Sequence, residues 1–208
     1  QGLFLSSGIM DSPERTQERM NAAVEILRRK HGYRGYVHLK VLPGVSDAAV
    51  EAAARLADRL STNLEAPTTA ALRKIAPDKQ LREQLLRPLR VAADLHRAGL
   101  VRSGVTTQFV VGGSGETDVD LLSATQWLTQ HLALRRPYFS GFRPLPDTPL
   151  ANMPATPNVR VYRLYQADWL LRVYGFSLSE LVFDDGGFLQ QNMDPKLAAA
   201  LAHPERFP

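Results

Sequence analysis

Two side chains that could act on a bound substrate, His38 and Lys40, stand two residues apart in an apolar stretch. Because side chains alternate across a β-strand, these two residues share one face of the strand that the stretch predicts. A lysine whose pKa is lowered by its surroundings can form a Schiff base with a carbonyl compound. Asn63 and Glu65 repeat the spacing on the next predicted strand, where they could orient a hydroxylated ligand or pair with Lys40. A catalytic Lys40 and a structural Lys40–Glu65 ion pair are equally good interpretations of this pattern.

Two segments rich in small residues could bring a ligand close to the backbone. Residues 112–117, GGSGET, lie between a predicted strand and a predicted helix, which is a suitable context for anion binding at a helix N-terminus. The segment lacks the lysine of a Walker loop and the third glycine of a dinucleotide fingerprint, and it also fits a tight turn. Ser6, Ser7 and Gly8 end the first predicted strand in the same way. Neither segment specifies a ligand by itself.

The segment 159–174 interleaves aromatic and basic side chains on one predicted helix. Its spacing places Tyr165 and Trp169 on the same face. The aromatic rings could stack on nucleobases while Arg160 and Arg163 contact phosphates, which makes these four residues the candidates for nucleic-acid contact. The same pattern also fits core packing with arginines that extend to solvent.

The composition excludes several other kinds of site. The chain of 208 residues contains no cysteine, so its own side chains form no disulfide, zinc knuckle, thiol nucleophile or thiolate-held iron–sulfur cluster. The five histidines are scattered without the paired spacing of a zinc site. The net charge of +4 is compatible with anionic ligands. No apolar run approaches the roughly 20 residues that span a bilayer, and no leader precedes the first strand, so we expect a cytoplasmic protein without membrane partners.

Five predicted strands alternate with predicted helices along the chain. The strands are residues 2–9, 35–43, 60–66, 105–112 and 136–145, and the main helices are 13–31, 47–59, 78–98, 118–134 and 159–174. This alternation predicts an α/β fold with parallel strands and outer helices. The strands are apolar on one face and polar on the other, whereas strands of a doubly wound sheet are apolar on both. The pattern therefore favours a partial TIM-like barrel with a polar lumen, although edge strands would show a similar alternation.

A series of short phrases resembles one family over nearly the whole chain. The phrases are GLFLSSGI (2–9), GYVHLK (35–40), NLEAP (63–67), TQFVVG (107–112), GET (115–117), RLYQADWL (163–170) and DPK (194–196). In this order they resemble the radical S-adenosylmethionine (radical SAM) proteins that are described as DNA modification or repair enzymes. The resemblance implies a (β/α)6 part-barrel, a [4Fe–4S] cluster, and cleavage of SAM to a 5′-deoxyadenosyl radical. It also implies a nucleic acid and a uracil-DNA-glycosylase-like protein as partners.

The resemblance also implies roles for individual residues. Those implied to bind SAM are Ser6, Ser7 and Gly8 at the methionine amino group, Asn63 and Glu65 at the ribose or carboxylate, and Gly113 and Glu116 at the adenosyl pocket. Those implied to line the lumen near the substrate are His38, Lys40, Gln108 and Ser140.

The family's cluster loop, Cys-x-x-x-Cys-x-x-Cys, has no counterpart in this chain, and neither has its C-terminal helix-hairpin-helix element. We therefore expect strands two to six of the barrel in residues 1–146 and a helical extension packed on the barrel in residues 147–208, with the cluster ligands upstream. Such a piece alone would be inactive, and its first strand would form an exposed, association-prone sheet edge. The alternatives are an aldolase or lyase barrel with a Lys40 Schiff base, and a non-catalytic nucleic-acid-binding module.

Overall fold

The computed structural model describes residues 2–206 of the chain. Its strands are β1 (Gly2–Leu5), β2 (Tyr36–Lys40), β3 (Arg59–Ser61), β4 (Val105–Val111) and β5 (Arg136–Gly141). Its α-helices are α1 (Pro13–Arg29), α2 (Asp47–Leu56), α3 (Thr69–Ile75), α4 (Arg87–Arg97), α5 (Asp118–Leu132), α6 (Asn158–Val173) and α7 (Pro195–Ala202). A π-helical turn, Leu81–Leu86, precedes α4, and two short 3₁₀ turns, Leu178–Glu180 and Pro204–Arg206, flank α7.

The five strands form one sheet in which the spatial order is the chain order, β1-β2-β3-β4-β5. The pairs β1–β2, β2–β3 and β3–β4 are parallel. The amide of Arg135 donates to the carbonyl of Val105 and that of Phe142 to Val111, so the chain around β5 runs in the same direction as β4. This order is the one that (β/α) barrels use, and it differs from the reversing order of a doubly wound sheet. The prediction of an α/β fold with parallel strands of barrel type is confirmed.

The chain divides into two compact units. The first contains the residues up to Leu64 together with Asp78–Gln108 and Gln130–Pro137, and the second contains Glu65–Pro77, Phe109–Thr129 and Tyr138–Pro208. In the first unit the core holds Val37 and Leu39 of β2 and Leu60 of β3. In the second it holds Phe109 of β4, whose ring lies 6.3 Å from that of Phe139 of β5.

Side-chain caps begin α1 and α2. Ser12 accepts a hydrogen bond from the amide of Arg15 at the start of α1, and Ser46 accepts one from Ala49 at the start of α2. Such caps satisfy amides that have no partner inside the helix. Among residues 2–206, no helix is both long and apolar enough to cross a membrane.

Several predicted elements are shorter or less regular than expected. The predicted strands 2–9, 35–43, 60–66 and 136–145 end at Leu5, Lys40, Ser61 and Gly141. The predicted helix 78–98 contains the π-helical turn, after which the amide of Arg87 bonds to the carbonyl of Arg82. Pro88 has no N–H with which to bond the carbonyl of Gln84. That carbonyl instead accepts the amide of Gly44 at 2.8 Å.

Within residues 2–206, β1 pairs with β2 alone and is an edge strand of the sheet. Its Phe4 is exposed, and so are Ile9 and Met10 in the loop that follows. The predicted exposed edge at the first strand is therefore present, while its tendency to associate stays a prediction.

Candidate functional site

Four polar residues lie together on the half-buried polar face of β2 and β3 in the first unit. Three of them are predicted site residues, and the fourth is Ser61. Along β2 the side chains of Val37 and Leu39 are fully buried, while those of His38 and Lys40 lie on the other face. Parallel pairing sets Lys40 opposite Ser61. His38 Nε2 lies 2.8 Å from Ser61 Oγ, and Lys40 Nζ donates a hydrogen bond to Asn63 Oδ1.

His38 is held in its neutral form. Burial, together with the positive charges of Arg59 and Lys40, lowers the pKa of His38 from 6.5 to about 4. The ring also packs against Phe4, with the ring centroids 4.6 Å apart. A base with so low a pKa is poorly matched to proton transfer near neutral pH. His38 is therefore better suited to contact a polar ligand than to act as a general base.

Two buried polar residues of α1, which the sequence reasoning missed, fix the end of β2 next to Lys40. Gln17 accepts the amide of Leu42 at 2.9 Å and donates to the carbonyl of Lys40 at 3.2 Å. Its amide nitrogen also donates to Asn21, which in turn donates to the carbonyl of Ala49 at 3.1 Å. Both side chains are buried on the apolar side of α1. The only signal that the sequence offered is the position of these two amides, four residues apart, inside an apolar stripe.

The loop after β3 is positioned by a buried hydroxyl of β4. Thr107 Oγ1 donates to the carbonyl of Thr62 at 2.7 Å and accepts the amide of Leu64 at 3.1 Å. These bonds flank Asn63 and fix its backbone. In the part of the chain that the structure describes, the buried Thr62 hydroxyl has no hydrogen-bond partner. The end of β3 therefore carries an unsatisfied polar atom beside Asn63.

The predicted positions of Asn63 and Glu65 on a strand are corrected. Both residues follow the last residue of β3, Ser61. Glu65 adopts a left-handed backbone conformation with φ of 64° and forms an isolated bridge with Phe109 in the second unit. Strand alternation therefore does not relate the two side chains.

In the second unit, the glycine-rich loop after β4 is wound around the carboxylate of Glu116. This carboxylate accepts the amides of Gly112 and Ser114 and the hydroxyl of Ser114, the last at 2.6 Å. The Glu116 side chain is almost completely buried. Its role in the structure is to shape the loop, since its oxygens already bind the backbone amides that an external anion would use.

Arg160 of α6 completes this support for the loop. Its Nε donates to Asp118 Oδ1 at 2.8 Å, and its Nη2 donates to the carbonyl of Glu116 at 2.8 Å. The other oxygen of Asp118 accepts the amide of Leu189 at 2.9 Å, and burial raises the pKa of Asp118, an effect that Arg160 partly offsets. The Arg160 side chain is only 11% exposed and lies under the ring of Phe188. Its guanidinium therefore serves the loop, whereas the sequence had suggested an external phosphate.

Close packing explains the two glycines at the start of this loop. Gly112 has φ of +90°, and a Cβ there would lie 2.1 Å from Thr156 Oγ1. A Cβ at Gly113 would lie 3.1 Å from the ring of Phe142 and 3.2 Å from Ile75. The Thr156 hydroxyl donates to the carbonyl of Val111, so it also fixes the end of β4.

The remaining predicted site residues are less confined. Ser6 and Gly8 are exposed, Ser7 is half-buried, and a Cβ at Gly8 would meet no atom within 4 Å. Gln108 is half-buried and Ser140 is exposed. The residues implied for one SAM site divide between the units: Ser6, Ser7, Gly8 and Asn63 belong to the first, and Glu65, Gly113 and Glu116 to the second.

The aromatic residues of α6 are mostly not core residues. The buried side of this helix is formed by Leu164, Ala167 and Leu170. Tyr162 is 60% exposed and Trp169 is 53% exposed, so the interpretation as core packing is wrong for both. Tyr165 is the exception, because its hydroxyl accepts the amide of Phe139 at 2.9 Å.

The residues present do not fit an iron–sulfur cluster. The chain contains no cysteine, and residues 2–206 contain no group of three or more His, Asp or Glu side chains that could hold a metal ion. Comparison of the chain with known proteins finds no matching family model and no matching curated relative.

Proposed function

We propose that the chain is the SAM-binding core of a radical SAM enzyme that acts on nucleic acid. The observation that carries the proposal is the polar cluster of His38, Lys40, Ser61 and Asn63 at the carboxyl ends of β2 and β3. In barrel-type folds with parallel strands, ligands bind at these strand ends. The family resemblance implies a SAM contact for Asn63 and a place in the lumen near the substrate for His38 and Lys40. The hydrogen bond between Lys40 and Asn63 supports extending the proposed SAM contact to Lys40.

The chemistry of the cluster fits the polar groups of SAM. The Lys40 ammonium can bind a carboxylate, the Asn63 amide can bind a ribose hydroxyl, and the neutral His38 ring can bind either partner without adding charge. An iron–sulfur cluster would require thiolates that this chain does not contain, so no step of radical formation is assigned to the residues of this chain.

Calorimetric titration of the 208-residue chain with SAM tests the proposal. We expect saturable binding that Lys40→Met and Asn63→Ala each weaken by about 10-fold or more, as loss of a hydrogen bond with a charged group predicts. Lys30→Met is the matched control, because Lys30 is an exposed lysine at the end of α1 in the same unit. Absence of saturable binding, or equal losses in Lys40→Met and Lys30→Met, would refute the assignment.

A Lys40 Schiff-base enzyme is the second candidate, because Lys40 lies beside a neutral imidazole on the polar face. In that case the amine would add to a carbonyl compound and expel water to give an imine, which borohydride would reduce to a stable secondary amine. Treatment with pyruvate or glycolaldehyde and borohydride, followed by peptide mass analysis, separates the two candidates. Saturable labelling at Lys40 with Lys30 unlabelled supports the Schiff-base enzyme, and labelling spread over exposed lysines excludes it.

A further inference from the structure

A cavity of about 360 Å³ lies between the last turns of α6 and the start of α7 in the second unit. This volume is within the range of about 300–1,000 Å³ that is typical of small-ligand sites. Its lining combines aromatic, aliphatic and polar side chains: Tyr165, Gln166, Trp169, Leu170, Tyr174, Asp194 and Lys196. None of the SAM-site residues named above contributes to it.

The ring surfaces of this cavity are accessible. Trp169 is 53% exposed, and Tyr174, which ends α6, is 56% exposed. Large aromatic side chains lose favourable burial when they remain in water, and exposed clusters of them mark binding surfaces. The cavity therefore offers ring faces on which a flat ligand could stack.

The polar side chains of the cavity are already oriented by one another. Gln166 donates to Asp194 Oδ2 and accepts from Arg163 Nη1, the latter at 2.7 Å. The other oxygen of Asp194 accepts the amide of Lys196 at 2.8 Å at the start of α7. Because these groups are occupied, the cavity is suited to contact a ligand through stacking more than through its hydrogen-bonding edge.

The position of the Lys196 ammonium determines whether the cavity suits a cationic ligand or an aromatic ligand with a negative charge. Lys196 Nζ lies 4.9 Å from the centroid of the Tyr174 ring. This ammonium already occupies the position that a cationic ligand would take in an aromatic cage, and it would repel a second cation. The Asp194 carboxylate in the same lining is bonded to Gln166 and to the amide of Lys196, so the ammonium is the charged group left for a ligand. A ligand with a neutral aromatic ring and a negative charge at Lys196 is complementary to this arrangement.

We propose that the cavity lined by Trp169, Tyr174 and Lys196 binds a nucleobase by stacking, with the attached phosphate at the Lys196 ammonium. The unit of recognition is one unpaired nucleotide, either free or within a single strand. This proposal rests on the proposed function, because it names an unpaired nucleotide as the class of substrate for that function. Binding is measured without SAM, and the variants lie outside the SAM-site residues, so failure of one proposal is distinguishable from failure of the other.

Fluorescence gives a direct test at the proposed ring. The chain has two tryptophans, and Trp127→Phe leaves Trp169 as the single reporter. Titration with a single-stranded 12-nucleotide DNA should quench this fluorescence as a base stacks on the indole. In anisotropy measurements with the labelled DNA, Trp169→Ala should weaken binding by about 5- to 150-fold, the range for loss of one stacked base, while Trp169→Phe should retain most of the affinity.

Two further variants separate this site from general affinity for DNA. Lys196→Ala should weaken binding and lower the slope of log affinity against log salt by about 0.7, as loss of one phosphate contact on a single strand predicts. Tyr162→Ala is the matched control, because Tyr162 is an equally exposed aromatic residue of α6 that does not line the cavity. Equal losses at Tyr162 and Trp169, or unchanged affinity in both Trp169→Ala and Lys196→Ala, would overturn the proposal.

The source of the nucleotide follows from parallel titrations with a mononucleotide and with the 12-nucleotide strand. Similar affinities support a free nucleotide, and much tighter binding of the strand supports a single-stranded nucleic acid; Trp169 is required in either case. Tighter binding of a trimethyl-lysine peptide than of both nucleotide ligands would contradict the charge argument and overturn the proposal.

Discussion

Acidification should destabilise the fold through His38. The folded state lowers the pKa of this side chain from 6.5 to about 4, mainly by burial and then by the charges of Arg59 and Lys40. Between these two values the unfolded chain binds a proton at His38 that the folded chain does not. The free energy of unfolding therefore falls as the pH falls from about 6.5 to about 4, and this contribution is constant below that range.

The size of the effect follows from the difference of about 2.5 between the two pKa values. At about 1.36 kcal/mol for each pH unit, the upper limit is about 3.4 kcal/mol. Because the ring is only half-buried, solvent screening reduces the expected loss to about 1–2 kcal/mol. The loss should be about half complete near pH 5.

Urea unfolding of the wild type and His38→Gln between pH 7.5 and 4.5 isolates this contribution. Other titrating groups largely cancel in the difference between the two proteins, so the wild-type advantage should shrink by about 1–2 kcal/mol on acidification. The His38 Cε1 proton resonance, assigned by its absence in His38→Gln, should titrate well below the ordinary value of 6.5. A pH-independent difference, or a resonance that titrates near 6.5, would show that burial and the neighbouring charges do not act on His38 as described.

Three further predictions concern residues that support the candidate sites. Gly112→Ala should cost at least about 3 kcal/mol in urea unfolding, because it adds a clash to the cost of about 1–2 kcal/mol for a left-handed alanine; Gly175→Ala, with φ of +74° and open space, should show only the latter. Arg160→Met should lower the free energy of unfolding by about 3–5 kcal/mol at pH 7, because it leaves the buried Asp118 carboxylate without its ion-pair partner. The loss should be smaller at pH 5, because burial raises the pKa of Asp118 and so favours its protonation as the pH falls. An equal loss at both pH values would contradict this. Gln17→Leu should cost about 2 kcal/mol or more and speed hydrogen exchange at the Leu42 amide, since that amide and the carbonyl of Lys40 lose their partner, and unchanged exchange would show that Gln17 does not hold the strand end.

The alternation of β2 made the central part of the candidate site predictable. Val37 and Leu39 are buried while His38 and Lys40 lie on the other face, as the period of two requires. The contact between Lys40 and Asn63 was one of the pairings that the sequence left open. What the sequence could not show is the support by Gln17, because its partners lie more than 20 residues away and are backbone groups that any residue carries.

The end of β3 was mispredicted for a related reason. Residues 62–66 continue the polar and apolar alternation, yet the strand ends at Ser61. The carbonyl of Thr62 and the amide of Leu64 bond to the side chain of Thr107. A side-chain hydroxyl that replaces a strand neighbour leaves no trace in the local pattern of residues 62–66.

The glycine-rich loop shows why sequence context alone could not separate an anion site from a tight turn. Both interpretations require backbone amides that point into the loop, and the structure has them at Gly112 and Ser114. The deciding feature is Glu116, whose own carboxylate occupies these amides and is in turn held 3.5 Å from Arg160. A phosphate at this position would have to displace a buried carboxylate and leave its charge without hydrogen bonds, which costs several kcal/mol. The anion site of this loop is therefore internal, and the backbone at Gly113 is covered by Phe142 and Ile75.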